Sequence, residues 1–582
     1  MLKKPETSLE DVVAAARGDK IADILIKNVS MVNVFTGEIY ETSIALYGGY
    51  IVGFGEYKAR KILDAKNMYA CPGFIDSHVH VESSMVTVSE YAKAVVPRGT
   101  TAVVADPHEI ANVLGLDGIK FMIENGKESI LRFYVMLPSC VPATNMETSG
   151  ARLKARDLLT LVGEEEVIGL AEMMNYPGVV STQPDVMEKL KAFKDKVIDG
   201  HAPSLVGKEL YAYVSAGIGS DHECVRLEEA KEKIKVGMRI MLREGSTEKN
   251  LKDLLPLVNK KNYKRCLFAS DDRHPSDLLL EGHIDFMVKT AISFGIDPVI
   301  AIQMATINAA EYFGLRRIGA LAPGYYADLI ILDSIKSNFN IKMVFVGGKI
   351  VAMDGKLVIE SKPCIKLVKS PMNVRWESLE KIEVFAKDKL INVIGVYPDQ
   401  ILTKKLIFEA KVENSKIVSD VERDILKVIV VERYEGSGNV GIGFVKGFGL
   451  KNGALGSSVA HDSHNIVAVG VNDEDLKMVV REIAKMGGGM VVIKNKEILA
   501  SLPLPIAGLM SEKTLEFVKD KLDELTLASK SIGCILPNPF MTLSFISLPV
   551  IPEIRLTDKG LVDVTKNRFI SIFSDKNDIS TS

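Results

Sequence analysis

From Cys71 to about Gly314 the chain alternates short apolar runs with stretches whose apolar residues recur at helical spacing. The runs YACPGFIDSHVH, TTAVVADP, RFYVMLPSC, VIGLAEMM, VIDGHAP, GIGSDHEC, RIMLREGS and RCLFASDDR read as strands. Between them DVMEKLKAFKDK, LEEAKEKIKVG and TEKNLKDLLPLVNK read as amphipathic helices. Strand–helix alternation predicts a parallel sheet. Eight such units in roughly 240 residues match the size and count of a (β/α)8 barrel.

The pattern changes on either side. Residues 21–70 (ADILIKNVSMVNVF, TSIALYGGYIVGFG) and 320–360 (APGYYADLIILD, IKMVFVGGKIVAMDGK) show short strands broken by Gly-Gly and Asp-Gly turns. They are expected to join into one small β domain. Past Pro371, strands such as ILKVIVVERY alternate with helices such as DEDLKMVVREIAKMG and SEKTLEFVKDKLDEL, so an α+β domain is expected. The expected organisation is therefore 1–70, an N-terminal helix and half of a β domain; 71–319, the barrel; 320–370, the other half; and 371–582, the α+β domain. Ser8 followed by Asp11 predicts a capped helix near the N-terminus, in a segment that does not look like a signal peptide.

Bulk composition narrows little but excludes some classes. The chain is 47% hydrophobic and 25% charged with a net charge of −3, so neither nucleic acid nor an anionic membrane is implied as a partner. No run of about 18 apolar residues is present to span a bilayer. The 6 cysteines are scattered with no C-x-x-C pair, so neither a thiolate zinc site nor a disulfide framework is indicated and a reducing cytoplasm is the expected location.

The strand ends carry the chemistry. In HVH, His78 and His80 project from one side of a strand while Val79 faces away, as suits two imidazoles aimed at one point. Barrel enzymes place their sites at the C-terminal ends of the strands. Glu172 lies on strand four, His201 ends strand five, His222 strand six and Asp271 strand eight. Four imidazoles and a bridging carboxylate would suit two divalent ions such as Zn, Fe or Mn. Each residue alone could be a polar group closing a strand; six at one rim point to a metal site.

The segments GFIDSHVHVESSM, GTTAVVADPHEIANVLG, GLAEMMNYPGV, DGHAP, SDHE and ASDDRHP, then PGYYADLI, AHDSHN and LPLPIAGLMS, resemble the amidohydrolase superfamily and, within it, the adenine deaminases. H-x-H is common to the superfamily; DPHEIANV, NYPGV and AHDSHN are much narrower. The resemblance implies that His78 and His80 hold one metal and His201 and His222 the second. It implies that Glu172 bridges them where many relatives have a carboxylated lysine, and that Asp271 binds metal and shuttles protons. It further implies manganese, with Fe2+ or Zn2+ as substitutes, a homo-oligomer, and hydrolysis of adenine to hypoxanthine and ammonia in purine metabolism. Related base deaminases often take a ring proton donor from a glutamate three residues after the strand-five histidine. HAPSL has none, which leaves Glu223, His108 and Glu109 as candidates, Glu223 being the one placed in the catalytic set.

Further residues have two readings each. Asp106 and His108 of ADPHE could contact substrate or a further metal, or simply close a strand. Asp272 could hold a purine nitrogen or cap a helix. AHDSHN (His461, Asp462, His464) could reach a barrel mouth, of its own subunit or a neighbour, or form a turn satisfied by its own side chains. GSGNVG fits G-x-G-x-x-G, but the glycines continue through GIGFVKGFGL where a dinucleotide fold needs a helix, so a bulged ribbon is expected. His274 and His283 read as structural. Two rival functions remain: a cyclic-amide hydrolase, which could use the same rim, and a non-catalytic barrel scaffold, which should have shed the ligands retained here.

Overall fold

The strand-and-helix rhythm becomes eight parallel strands in the computed structural model, which describes residues 7–360, 368, 370–398 and 400–574. They are β1 (Phe74–Val79), β2 (Thr100–Ala105), β3 (Arg132–Leu137), β4 (Val167–Met173), β5 (Val197–Gly200), β6 (Ser220–Asp221), β7 (Arg239–Arg243) and β8 (Cys266–Ala269). β1 to β5 pair in sequence order, as do β6 to β8. Two joins close the ring. Gly219 N donates to Ile198 O at 3.0 Å between β5 and β6, and Asp271 N donates to His78 O at 3.0 Å just past β8. Val79 and Asp271 pair in parallel there, so the sheet returns to its first strand and has no free edge. Ile75, Ala102, Val104, Met136, Ala171, Met241, Leu267 and Ala269 share one buried cluster, a packed core of small and branched side chains.

Helices Pro184–Ala192 and Leu227–Lys235 follow the expected spacing. TEKNLKDLLPLVNK departs from it, forming one turn at Leu251–Leu254 and a 3-10 turn at Leu255–Leu257. Pro256 brings no N–H and disfavours helix at the residue before it, which ends the longer helix there.

The two β-rich flanks form one nine-stranded sheet. Tyr69–Pro72 makes the join, pairing parallel with Ser30–Met31 and antiparallel with Leu329–Leu332. Ile26, Met31, Ile44, Leu46, Leu329, Ile331 and Phe345 bury together at this seam. Ser8 caps helix Leu9–Ala16, its side chain accepting Asp11 N at 3.1 Å.

The chain divides into two compact units. The first is Met1–Pro107, Lys120–Ser139 and Lys154–Ile365; the second is His108–Ile119, Cys140–Leu153 and Lys366–Ser582. Two short segments from inside the 71–319 stretch thus cluster with the C-terminal residues. The second unit is built on an eight-stranded sheet that includes Ile425–Val431, Val440–Lys446 and Ile466–Gly470, with helices Asp473–Lys485 and Leu515–Ser531. GSGNVG runs into the strand Val440–Lys446, with no helix following it. Its glycines serve backbone geometry: Gly436 and Gly438 have φ of 64° and 83°, and a Cβ on Gly441 would lie 1.8 Å from the Thr557 carbonyl oxygen.

Cys71, Cys140, Cys224, Cys266 and Cys534 are free thiols, all buried; Cys364 lies outside the described residues. Among the described residues no helix is long and apolar enough to cross a membrane.

Candidate metal centre

Within the first unit, the ends of β1, β4, β5, β6 and β8 bring six donor side chains together. Alternation along β1 turns His78 and His80 the same way, and their Nε2 atoms lie 3.1 Å apart. Two ligand atoms each ~2.1 Å from one ion, at tetrahedral to octahedral angles, are separated by about 3.0–3.4 Å, so this spacing fits a shared cation. His80 Nδ1 donates to the Asp106 carbonyl at 2.9 Å, which fixes the ring and turns Nε2 toward the cluster.

Glu172 supplies the link. Its Oε1 lies 3.3 Å from His80 Nε2 and 3.8 Å from His78 Nε2, while Oε2 lies 2.5 Å from His201 Nδ1 and 3.2 Å from His222 Nε2. One carboxylate oxygen thus faces each imidazole pair. The His78 and His222 rings stack at 4.2 Å. Asp271 Oδ1 sits 3.2 Å from His80 Nε2, and its backbone has φ of 54°, a left-handed conformation uncommon for a residue with a side chain and often held at functional positions.

The electrostatics reflect this crowding. Burial alone would raise the Glu172 carboxyl, but the His201 and His222 imidazoles hold it well below the usual carboxylate range. Burial likewise opposes charge on His222, and Glu172 overrides it, lifting the imidazole to about 9. His78 is held down by burial and by the His222 and His80 rings beside it. A buried group of carboxylates and imidazoles whose nitrogen and oxygen atoms converge on shared points has the donor set of a divalent-metal site, the imidazoles giving up their protons as metal binds.

Three supporting contacts were not expected from sequence. Arg243, the last residue of β7, donates to Asp271 Oδ2 at 2.7 Å and also to the Glu223 carboxylate. Its position at a strand end on the rim was the available signal. Lys233, fully buried, donates to Asp221 Oδ2 at 2.8 Å, Glu229 Oε1 at 2.7 Å and the Ala202 carbonyl at 2.7 Å. Asp221 Oδ1 accepts Ala202 N at 2.9 Å, so this ion group ties the residue after His201 to the residue before His222. Asp76 lies below His78; its Oδ2 is 2.9 Å from His283 Nε2, and its two oxygens accept Ser270 N and Oγ. His283 also meets Tyr91 Oη and Thr100 Oγ1, each at 2.8 Å, a structural setting in agreement with its reading from sequence.

The remaining candidates are placed as follows. Asp106 is buried and offers its carbonyl to His80. Asp272 accepts the Ser83 hydroxyl. Glu223 is joined to Asp271 through Arg243. His108 belongs to the second unit, where its Nε2 lies 3.3 Å from Glu109 Oε1.

Known proteins resemble the chain over nearly its whole length. The Amidohydrolase family profile matches residues 69–351, and the adenine deaminase C-terminal domain profile matches residues 400–568. An adenine deaminase of Kosmotoga olearia is 48% identical over 572 residues, covering 97% of this chain and 99% of its own. "Adenine deaminase 2" of Carboxydothermus hydrogenoformans is 49% identical over 560 residues, covering 96% of this chain and 98% of its own. Among solved structures, a β-aspartyl dipeptidase of Fervidobacterium islandicum superimposes with a TM-score of 0.44 at 19% identity, covering 58% of this chain and 98% of its own.

Proposed function

Because the chain belongs to the adenine deaminase family of amidohydrolases, we propose that it converts adenine and water to hypoxanthine and ammonia at the first unit's rim cluster. The observation that carries the assignment of the site is Glu172, with one oxygen toward His78 and His80 and the other toward His201 and His222. His78, His80, Glu172, His201, His222 and Asp271 would hold two divalent ions, manganese by preference, with Fe2+ or Zn2+ as substitutes. Bound there, the pair would lower the pKa of water toward ~7 and so supply the hydroxide that attacks the purine.

The chain's own residues do the rest. Asp271 takes the proton of the attacking water and delivers it to the departing amine. Arg243 is the positioning residue: by holding Oδ2 it keeps Oδ1 turned toward His80 and the cluster. The same guanidinium holds Glu223, which would first take up a proton of the attacking water and then relay it to the ring nitrogen that gains one as aromaticity is lost. Asp272, which accepts the Ser83 hydroxyl, and Asp106, whose carbonyl accepts from His80, would bind the polar edge of the base. Their carboxylates suit the N–H donors of a purine and would repel an anionic substrate. The enzyme works in the cytoplasm as a homo-oligomer.

The test uses full-length protein expressed with manganese and an iron chelator. Bound metal is counted while loss of adenine and release of ammonia are followed, with adenosine, cytosine and dihydroorotate alongside. Turnover of adenine alone is expected; turnover of dihydroorotate instead would move the assignment to a cyclic-amide hydrolase.

A further inference from the structure

The second unit carries a buried cluster of possible ligands centred on Glu109. Donor atoms of His108, Glu109 and Asp462 all lie within 4.8 Å of one another. All three residues are 2–4% exposed. Glu109 is the hub. Its Oε1 lies 3.3 Å from His108 Nε2 and 2.5 Å from His461 Nδ1, and its Oε2 accepts His464 Nε2.

The two histidines of the loop are not equivalent. Ala460 N donates to His464 Nδ1 at 3.1 Å, so the His464 proton must sit on Nε2 and point at Glu109. His464 therefore cannot offer that nitrogen to a cation; it orients the carboxylate from behind, as outer groups do at metal sites. Oε1, which meets His461 Nδ1, also faces the imidazole of His108, and a donor atom of Asp462 lies within 4.8 Å of those of His108 and Glu109.

The loop that carries Asp462 is fixed by its neighbours. Arg433 Nε donates to the His464 carbonyl at 2.5 Å, Asn465 Nδ2 to the Thr148 carbonyl at 2.8 Å, and His461 N to Ser544 Oγ at 3.1 Å. A third carboxylate, Glu147, is buried beside this loop, and burial together with the nearby Asp462 carboxylate pushes it well above the usual carboxylate range. Arg433 directs its other donors to the Ala507 and Pro371 carbonyls and the Ser370 hydroxyl, and Lys559 donates to the Asn145 and Glu147 carbonyls. The His108 nitrogen together with the buried carboxylates of Glu109 and Asp462 is a coordination set.

We propose that the second unit holds a divalent first-row metal ion of its own, ligated by His108, Glu109 and Asp462, with His464 positioning Glu109. The inference does not depend on adenine being the substrate. It is tested by stripping full-length protein with a chelator, reloading it with Mn(II), and counting metal in wild type, Asp462→Asn, Glu109→Gln and Glu172→Gln. Wild type should bind three ions per chain, Asp462→Asn and Glu109→Gln two, and Glu172→Gln should keep at least one. Manganese anomalous scattering from crystals of the loaded wild type should peak among His108, Glu109 and Asp462, a readout that does not depend on any variant folding. Equal counts in wild type and both second-unit variants, with no anomalous peak at that position, would overturn the proposal. If Glu172→Gln loses no metal while Asp462→Asn loses one, the two-metal rim fails and the second-unit site stands.

Discussion

In the first unit the groups that brace the cluster are themselves buried ions; in the second the loop is braced mainly by neutral acceptors. Arg243 holds Asp271 and Glu223, and Lys233 holds Asp221 and Glu229. Around Asp462 one acceptor is charged, the Glu109 carboxylate that meets His461 and His464, and the others are carbonyls and a hydroxyl: His464, Ser463 and Thr148 by their backbone oxygens, Ser544 by Oγ. The two forms of support respond differently to damage. Removing one partner of a buried ion pair strands a charge, whereas removing one hydrogen bond to a carbonyl leaves a group that its surroundings can often satisfy.

The largest effect is expected at Glu172, which joins the two halves of the rim cluster. Glu172→Gln keeps the shape and removes the charge that faces four imidazoles. Deaminase activity should fall by ~10³-fold or more, since without the metals no hydroxide forms at neutral pH. A steady-state assay with metal analysis decides it, and a variant with full metal and near-normal kcat would show that the bridge is not required.

Next is Lys233→Met, which leaves Asp221 and Glu229 buried without their cation and should cost about 3–5 kcal/mol by chemical denaturation. Its pH dependence separates electrostatics from packing. Burial would raise Asp221, but Lys233 overrides it and holds the carboxyl at about 2. The unfolded value is ~3.9. A lowered folded pKa gives stability that is fully present above about pH 4 and is lost as pH falls toward 2, about 2–3 kcal/mol in all. The gap between wild type and Lys233→Met should therefore narrow from pH 4 downward; a gap constant over that range would assign the loss to packing.

Arg243→Lys should act on rate more than on stability. Lysine keeps the charge but lacks the planar fork, so it cannot hold Asp271 and Glu223 in one geometry. A kcat loss of ~10–100-fold is expected, as for other groups that orient metal ligands from behind. Metal content should stay at the wild-type level while the pH profile of kcat moves. An unchanged profile would leave Arg243 a purely structural residue.

How much of this was legible follows the same division. Parallel strands with polar ends are a local pattern, so the barrel and its rim donors, His78, His80, Glu172, His201, His222 and Asp271, could be found by reading strand ends. The flanking sheet could be read from turn glycines and short apolar runs. Arg243 and Lys233 were missed because a charged residue at the end of a strand or on a helix face is ordinarily solvated, and only the fold shows their partners. The second unit was harder. His108–Ile119 and Cys140–Leu153 pack with residues beyond 366, and nothing in their composition announces it. Glu109 and His464 are 355 positions apart in the chain, a pairing that periodicity cannot register. The glycines of GSGNVG mimicked a phosphate loop for a backbone reason, the approach of Thr557 to Gly441.

The smallest expected effect tests the neutral bracing directly. Tyr434 Oη donates to the Ser463 carbonyl, between Asp462 and His464, from a ring that is itself buried. Burial pushes this phenol up, against the pull of Arg433, so at every accessible pH it is the neutral donor. Tyr434→Phe deletes one hydrogen bond and keeps the ring. The Ser463 carbonyl loses this donor, while Arg433 still grips the His464 carbonyl and Asn465 still reaches Thr148. A loss of only about 1 kcal/mol is expected, against the larger loss at Lys233. Thermal unfolding of the two variants side by side would measure the contrast. A Tyr434→Phe loss as large as that of Lys233→Met would mean that the second unit's loop rests on this one bond rather than on several.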